Sequence, residues 1–579
     1  MNKLKILDLS YNHLVGDISS IMLSNVSSHG WRASIEMLDI SSNRFIGEIQ
    51  SVFIQHAWKL TVLNVSHNSF TGPLPSSLCN NSFSILHLDF SFNHHSGQIP
   101  VGLGGCSKLK TFWAGFNSLV GPLPIDLYSA ASLEEISLRY NFQLSGLIGD
   151  DIINLTKLNK LDLCGNNFSG KLPINIGKLS QLKHLVLRRN SFQGALPPSL
   201  FNCTNLYKLD LAINSFEGEI STLNFSNLHK LAVIDLLSNH FTGNFPTSLC
   251  MNLYSCKSLR AIRLTCNPLN VDIRSDVVQL NFLSFLSLGY NGLTNITATI
   301  KILGHCKALK VLILTGNFLQ EAMPANDSIV GLSGFENLRF LSLGDCQLSG
   351  RIPLWLSKIK NLEVLSLGSN RISGSIPGWF STLARLFNLD LSDNLISGEF
   401  PKDLCALPAL VSPQTLADHN SLDLAIYGSR SNGGSEYNSL FQFGGAICIA
   451  NNNLSGIIPI EIGRLKQLRN LELNDNNLSG KIPFQISELT HLEVLDLSEN
   501  HFSGEIPASL ANLHFLNNFS VANNKLYGAI PSGTQLQTFD ASAYEGNPGL
   551  CGPPLLNECA HISGNKGDKD IIVRIMCPR

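Results

Sequence analysis

The chain has 579 residues, only 15% of them charged, and a formal net charge of −2 at pH 7. That balance offers no basic face for a nucleic acid, and an apolar content of 44% is too high for a disordered chain. By length alone the chain would make about four ordinary domains, but an internal repeat overrides that count, because a solenoid grows without dividing into separate cores.

The first ten residues, Met1-Asn-Lys-Leu-Lys-Ile-Leu-Asp-Leu-Ser10, already lie inside a repeat, so no leader peptide is read there. No run of about 18 apolar residues long enough to cross a membrane occurs. The unit reads Leu-x-x-Leu-x-Leu-x-x-Asn-x-Leu-x-Gly-x-Ile-Pro, with clear copies starting at Leu362 and Leu492. Its Asn recurs from Asn12 to Asn524 about twenty times, mostly in steps of 24 or 25 residues, with Cys346 once in its place. The Leu-x-Leu alternation predicts a short strand with one face buried. The Asn sits where the chain leaves the strand, and its amide can bond backbone groups of its own coil and the neighbouring one. The Gly permits a backbone that other residues resist, and the Pro ends hydrogen bonding on the outer side. The predicted fold is an α/β-type repeat solenoid, a right-handed superhelix with parallel strands on its concave face and short 3₁₀ segments outside.

Some units are irregular. The steps from Asn12 to Asn43, Asn239 to Asn267 and Asn317 to Cys346 are long, and the units at Asn267 and Asn291 lack Gly-x-Ile-Pro. After Asn394 the next ladder Asn is Asn452, 58 residues on. That gap exceeds one unit by roughly 34 residues, too many for a structureless loop in a compact stack. The stretch Val411 to Ala446 is therefore read as an island domain that folds back onto the stack. After Pro531 the repeat gives way to a cap that covers the open end of the solenoid, and in a secreted chain a Cys551–Cys559 disulfide would clamp it. The expected boundaries are repeats over 1–401, island over 402–446, repeats over 447–531, cap over 532–560 and tail over 561–579.

Of the fourteen cysteines, Cys106, Cys203 and Cys306 precede a repeat at a fixed offset and are read as buried free thiols. Twelve Asn-x-Ser/Thr sequons occur, at Asn25, Asn64, Asn80, Asn154, Asn167, Asn202, Asn224, Asn295, Asn326, Asn453, Asn477 and Asn518. With few lysines, they point to secretion and N-glycosylation.

Signatures of catalysis are nearly absent, and no enzyme activity, cofactor or metal is expected. Gly165 to Lys171 has the spacing of a phosphate loop, but Leu172 stands where Ser or Thr would hold magnesium. There is no Gly-x-Ser-x-Gly and no His-Glu-x-x-His. His94-His95, just after a ladder Asn, reads as a solvated turn rather than a metal site. The non-leucine strand positions point into the concave groove. Arg188, Arg189, Arg263, Tyr290, Ser342, Asp345, Ser366, Ser369, Arg371, Asp390, Ser392, Asn474 and Asp475 are placed there, a polar face suited to a peptide, with arginine available for an anionic group.

The Gly-x-Ile-Pro form of the unit resembles the plant-specific leucine-rich repeat. A closer resemblance is carried by Gly334 to Gly350 (Gly-Phe-Glu-Asn-Leu-Arg-Phe-Leu-Ser-Leu-Gly-Asp-Cys-Gln-Leu-Ser-Gly), Leu407-Pro-Ala-Leu410, Glu436-Tyr-Asn438, Leu513-His-Phe-Leu516, Ile530 to Gln535 and Glu545-Gly-Asn-Pro-Gly-Leu-Cys-Gly552. These stretches are similar to the ectodomains of plant receptors for tyrosine-sulfated peptides, the phytosulfokine receptor type. The resemblance implies a single-pass plasma-membrane receptor, with this chain on the extracellular side and the membrane reached only through segments outside this sequence. It implies an island folded onto the inner groove, a secreted peptide added to the island as a strand, and a co-receptor kinase with a short leucine-rich repeat as second partner. Departures are Gly444-Gly445 where the family has Pro-Pro, which suggests a looser return to the repeat, and Glu436 where Gln is usual. The family's signal peptide, N-terminal cysteine cap, membrane helix and kinase have no counterpart in this sequence.

The expected ligand site comprises Ser342, Asp345, Ser366, Ser369, Arg371 and Asp390 on the strands, with Asp423, Ala425 and Tyr427 on the island. Arg371 is expected to meet a sulfate there, assisted by the Ser342, Ser366 and Ser369 hydroxyls. A kinase-less receptor-like protein in defence or development, and a secreted inhibitor of cell-wall-degrading enzymes, are the alternatives; such inhibitors need no island.

Overall fold

The computed structural model describes residues 4–17, 34–49, 57, 59–76, 78–79, 84–249, 258–269, 273–325, 334–412, 421–427, 436–532 and 535–559. The chain divides into two compact units. One comprises Met1–Gly374, Thr382–Leu395 and Gln414–Phe443; the other comprises Ser375–Ser381, Ile396–Pro413 and Gly444–Arg579.

In the first unit each repeat gives one short parallel strand to a main sheet. Leu161, Leu185, Leu209, Ile234 and Ile262 stand in register on successive strands and are at most 1% exposed. The residues flanking each of them alternate to the open face, as the period of two requires. Among the described residues, strands of this kind number 20 in the whole chain, in line with the repeats counted from the Asn spacing.

The Asn closes each coil. Asn93 donates from Nδ2 to the carbonyls of Phe90 (3.2 Å) in its own coil and Val65 (3.0 Å) in the preceding one, and its Oδ1 accepts from the Phe70 amide at 3.0 Å. Cys346 substitutes with its thiol, which donates toward the carbonyls of Gly344 (3.1 Å) and Leu314 (3.6 Å). The residue before the Asn takes a left-handed backbone in repeat after repeat, with φ 55° at Tyr140, 54° at Arg189 and 53° at Tyr290. Such a conformation costs a non-glycine residue about 1–2 kcal/mol, and the bonds of the Asn offset it. Gly165 fills this position in its own repeat, where a Cβ would stand 2.5 Å from the Tyr140 ring. The phosphate-loop look-alike is this turn: the Gly165 and Asn166 amides donate to the carbonyls of Arg188 and Arg189.

The Gly-x-Ile-Pro region is not only a turn. It forms a second parallel sheet that begins just after each Asn, as in Asn167–Gly170, Ser191–Ala195 and Ser215–Glu219. Phe168, Phe192, Phe216 and Phe241 point inward from it and stack at 6.5, 6.0 and 6.5 Å. Short 3₁₀ segments such as Pro198–Asn202 form the third layer. The repeats at Asn267 and Asn291, which lack Gly-x-Ile-Pro, show no second-sheet strand among the described residues. The α-helix Ile296–Leu303 stands there instead, its N-terminus capped by the Asn295 side chain, which accepts from the Ala298 amide at 3.0 Å.

Two expectations are corrected in this unit. His95 is not solvated: it is 0% exposed and occupies the phenylalanine column, 6.3 Å from Phe70 and 5.7 Å from Phe90. The second-sheet strand His94–Gln98 turns it inward while His94 faces out. Cys106 is not a free thiol but is joined to Cys79, 27 residues earlier, because stacking sets the outer segments of successive coils side by side. Cys203 and Cys306 are free and buried.

The second unit repeats the architecture with main-sheet strands Gly445–Cys448, Leu468–Glu472, Val494–Asp496 and Asn518–Ser520. The return at Gly444-Gly445 is tight rather than loose, since a Cβ on Gly445 would lie 2.3 Å from the Gln467 carbonyl oxygen and 2.8 Å from Leu410. Lys402–Ala406 and Pro408–Val411 are helical segments of this unit. At its end Tyr544, fully buried, packs with Phe539 against Phe519, and Cys551 and Cys559 are joined. The cap also holds one more ladder residue that the spacing missed: Asn547 donates to the Val521 carbonyl at 2.9 Å and accepts from the Leu526 amide at 3.0 Å.

Burial pushes the His95 imidazole down to about 4, whereas in the unfolded chain it titrates near 6.5. The fold thus favours the neutral ring, so its contribution is intact above pH 6.5 and declines as pH falls toward 4, by on the order of 3 kcal/mol. His95→Phe, which continues the column, is expected to unfold at nearly the wild-type denaturant midpoint at pH 7.5 and at a clearly higher one at pH 4. A gap between the two proteins that is the same at both pH values would contradict this.

Candidate functional site

The described residues 421–427 and 436–443 of the insertion lie on the open face of the main sheet in the first unit. Leu424, Ala425 and Ile426 are buried, at 5%, 8% and 3% exposure. Ile426–Tyr427 pairs antiparallel with Glu436–Tyr437, and the Leu422 amide donates to the Asn438 carbonyl at 2.8 Å. Beyond the hairpin, Tyr437 stacks on Phe443 at 4.1 Å, and Phe443 meets Phe340 of the main sheet at 5.5 Å.

One arginine fixes this hairpin to the repeats. Arg263 donates from Nη1 to the Ala425 carbonyl at 2.6 Å, from Nε to Asp235 Oδ1 at 2.9 Å, and from Nη2 to Asp235 Oδ2. Asp235 and Arg263 occupy the same register position on adjacent strands and are 0% and 3% exposed. Around them Asp423 accepts from Ser284 Oγ at 2.8 Å and lies 3.7 Å from Arg260 Nε, while Arg260 also donates to the Tyr207 hydroxyl. The Tyr427 ring lies against two guanidinium groups, 4.8 Å from that of Arg188 and 4.9 Å from that of Arg263, each a cation–π contact. Burial pushes the Tyr427 phenol up, which keeps it a neutral donor. Burial, with Asp235 beside it, also pushes the Asp210 carboxyl up to about 6, and Lys208 lies 3.2 Å from that carboxylate.

The residues expected to form the site are not all gathered here. Asp423, Ala425 and Tyr427 sit on the hairpin, over the strands that carry Arg260, Arg263 and Ser284 rather than beside Arg371. Ser342 is 7% exposed and shares a hydrogen bond with Thr315 at 2.7 Å. Ser366 donates to Asp390 at 3.1 Å, and Ser369 to Asp393 at 3.4 Å. Those two hydroxyls already serve carboxylates, so the picture of serines grouped around a sulfate is corrected. Asp345 accepts from the Tyr290 hydroxyl at 2.8 Å. Arg371 opens a strand of the second sheet, in register with Ser349, and is absent from the main-sheet face. It is placed there because the residue after each Asn begins the second strand.

Arg188 and Arg263 were legible as groove residues; Asp235, Tyr207, Arg260 and Ser284 were not singled out. A signal existed, since Asp210, Asp235 and Arg263 follow one another at one register position, and opposite charges there must pair across the sheet. Of the sequons, Asn154, Asn167, Asn202, Asn224, Asn295, Asn453, Asn477 and Asn518 are exposed. Asn64 is partly buried and donates to Asp39 at 2.9 Å. Asn25, Asn80 and Asn326 lie outside the described residues.

Removing one member of a buried ion pair strands the other charge, at about 3–5 kcal/mol. Arg263→Ala is expected to lower unfolding stability by that amount in urea titration, and Arg263→Met combined with Asp235→Leu to recover most of it. A loss below about 1 kcal/mol for the single variant would show that the pair does not anchor this region.

Comparison with known proteins agrees with this architecture. The Leucine Rich Repeat model matches residues 3–25, 59–81, 157–179, 181–203, 467–489 and 491–513, and a second leucine-rich-repeat model matches 336–396. Receptor-like protein 3 of Arabidopsis thaliana is 52% identical over 344 residues, which is 59% of this chain and 45% of that protein. Phytosulfokine receptor 1 of Arabidopsis thaliana is 44% identical over 193 residues, 33% of this chain and 19% of that receptor. The chain therefore spans less than half the length of either. Among solved structures, the Arabidopsis receptor kinase HAESA in complex with the peptide hormone IDA and the co-receptor SERK1 superposes with a TM-score of 0.57 at 29% identity, covering 95% of this chain and 91% of that one. A TDR receptor gives 0.60 at 26% identity, covering 94% and 93%. In fold the chain is a leucine-rich-repeat solenoid, and in sequence it is similar to plant leucine-rich-repeat receptor-like proteins.

Proposed function

We propose that this chain is the extracellular ligand-binding region of a plant cell-surface receptor, and that it takes a secreted peptide in extended form along its insertion. The observation that carries the reading is the hairpin itself. Its strand Ile426–Tyr427 is tied to the repeats through the Ala425 carbonyl, and Glu436–Tyr437 pairs with no strand but Ile426–Tyr427 among the described residues. A peptide backbone adding to such an edge gains main-chain hydrogen bonds, with pockets for alternate side chains supplying specificity. The likeness to a receptor kinase solved with a peptide hormone and a co-receptor supports a peptide ligand and a second receptor chain as partners. The likeness to phytosulfokine receptor 1 supports tyrosine sulfation as the finer feature of that peptide. No catalytic role is proposed for this chain.

Ile426→Pro removes a strand amide and fixes φ. In calorimetric titration of the purified chain with tyrosine-sulfated peptides and their unsulfated counterparts, the sulfated forms are expected to bind roughly ten-fold or more tightly. Ile426→Pro is expected to abolish binding of both while leaving the main unfolding transition in place. Equal affinity for the two forms would reject sulfate recognition, and undiminished binding to Ile426→Pro would reject the hairpin as the docking edge.

A further inference from the structure

Arg188 differs from Arg263 in one respect. Both press on the Tyr427 ring. Arg263 spends its side-on fork, Nε and Nη2, on the two oxygens of Asp235. The same two atoms of Arg188 have no hydrogen-bond acceptor among the described residues, although the residue is only 8% exposed. The Tyr427 hydroxyl, buried beside it, has none either. Unanswered buried donors are costly and uncommon, and each calls for an explanation.

The nearby carboxylates do not supply one. Asp235 is held by Arg263, and Asp210 is shared with Lys208. Three cations thus face two buried carboxylates, with the exposed Glu436 opposite Tyr427 on the hairpin, and no carboxylate among the described residues is hydrogen-bonded to the Arg188 fork. The ring contact does not compensate, because a cation over an aromatic face is held through that face while the N–H edge stays in the guanidinium plane. A planar fork with two parallel N–H groups matches two oxygens of one carboxylate or sulfate.

We infer that Arg188 Nε and Nη2, together with the Tyr427 hydroxyl, form a receiving site for one singly charged oxyanion of the bound ligand, a sulfate ester or a terminal carboxylate. The inference rests on the peptide-receptor reading above. It assigns the ligand's anion to the junction of the hairpin with the strand face, where it meets the Arg188 fork. It also makes Arg188 a residue kept for binding at the expense of stability, the reverse of Arg263.

That opposition gives the test. Arg188→Met keeps the aliphatic stem and removes the charge and fork. In the full chain it is expected to melt at or above the wild-type temperature, whereas Arg263→Ala melts lower. The probes are N-acetyl-O-sulfotyrosine amide, N-acetyltyrosine amide and acetate, titrated calorimetrically and by thermal shift. One of the two anions is expected to bind wild type and to lose roughly ten- to a hundred-fold in affinity in Arg188→Met, with a smaller loss in Tyr427→Phe. The neutral probe is expected not to distinguish the variants. Binding of the sulfated probe identifies a sulfate ester, and binding of acetate a carboxylate. The inference is overturned if Arg188→Met melts below wild type as Arg263→Ala does, if neither anion binds wild type, or if the anions bind wild type and Arg188→Met alike. Anion binding through Arg188 without binding of any tyrosine peptide would sink the receptor reading and leave the site standing. Peptide binding whose dependence on the sulfate and on a free C-terminal carboxylate is unchanged in Arg188→Met would do the opposite.

Discussion

The described coils depend on how the backbone leaves a main-sheet strand that is in most of them only three residues long. Such a strand cannot satisfy its own turn, and the residue before the ladder Asn is bent into a left-handed conformation. The Asn amide answers this with donors to its own and the preceding coil and an acceptor for the preceding coil's next strand, as Asn93 and Asn117 show. Because it has both donor and acceptor atoms, it links neighbouring coils in both directions. The rest follows from that link. Coils stack at a fixed register, so leucines meet leucines, phenylalanines form a column, and polar positions line up on one face.

Fixed register is also what makes a site possible. A side chain on the open face sees the same position one strand away, so a substitution in one repeat is read by its neighbours. Asp210, Asp235 and Arg263 exploit this. The geometry that elsewhere displays solvated pairs, such as Lys110 beside Glu134 at 3.0 Å, here packs under a hairpin and becomes a buried network. A buried ion pair contributes little net stability against apolar residues of the same shape, but it fixes geometry once formed. Arg263 does so by holding Asp235 and the Ala425 carbonyl together, which sets where the hairpin sits on the face.

Much of the fold was legible because it depends on spacing: the strands, the ladder and the break after Asn394 are visible in Leu and Asn positions alone. The second sheet was harder to read, since Gly and Pro mark it as a turn while the inward Phe or Ile two residues after the Asn marks it as a strand. His95 was misread for the same reason, as a polar residue at a position the sheet turns inward. The Cys79–Cys106 link was hidden because the two cysteines do not share an offset, Cys79 following Asn68 by 11 residues and Cys106 following Asn93 by 13. The site was half legible. Its island was visible as an interruption, and Arg188 and Arg263 as groove residues. Which strands the island covers is set by tertiary contacts 162 residues apart in sequence, and no local pattern encodes such a separation. Arg371 drew attention because it stands among serines in sequence, yet the step from Asn370 to Arg371 is the step between two sheets.

That long separation has its own consequence for how the molecule holds together. A repeat stack is stabilised by nearest neighbours, so its coils form through local contacts with little loop closure. The insertion breaks this rule, because its strand must return to coils that precede it by more than a hundred residues. Among the described residues its closure entropy is offset by Leu424, Ala425 and Ile426 buried against the face, the Arg263 contact, the Tyr427 ring between Arg188 and Arg263, the aromatic contact through Phe443, and the Asp423 pair. The coils beneath do not need those contacts to stack, whereas the hairpin cannot keep its position without them. Opening of the hairpin is therefore separable from, and costs less than, global unfolding. An element that must admit a second chain along its edge gains from that separation. The ladder supplies a rigid face whose register does not change, and the element that meets a ligand is fastened to it at few points.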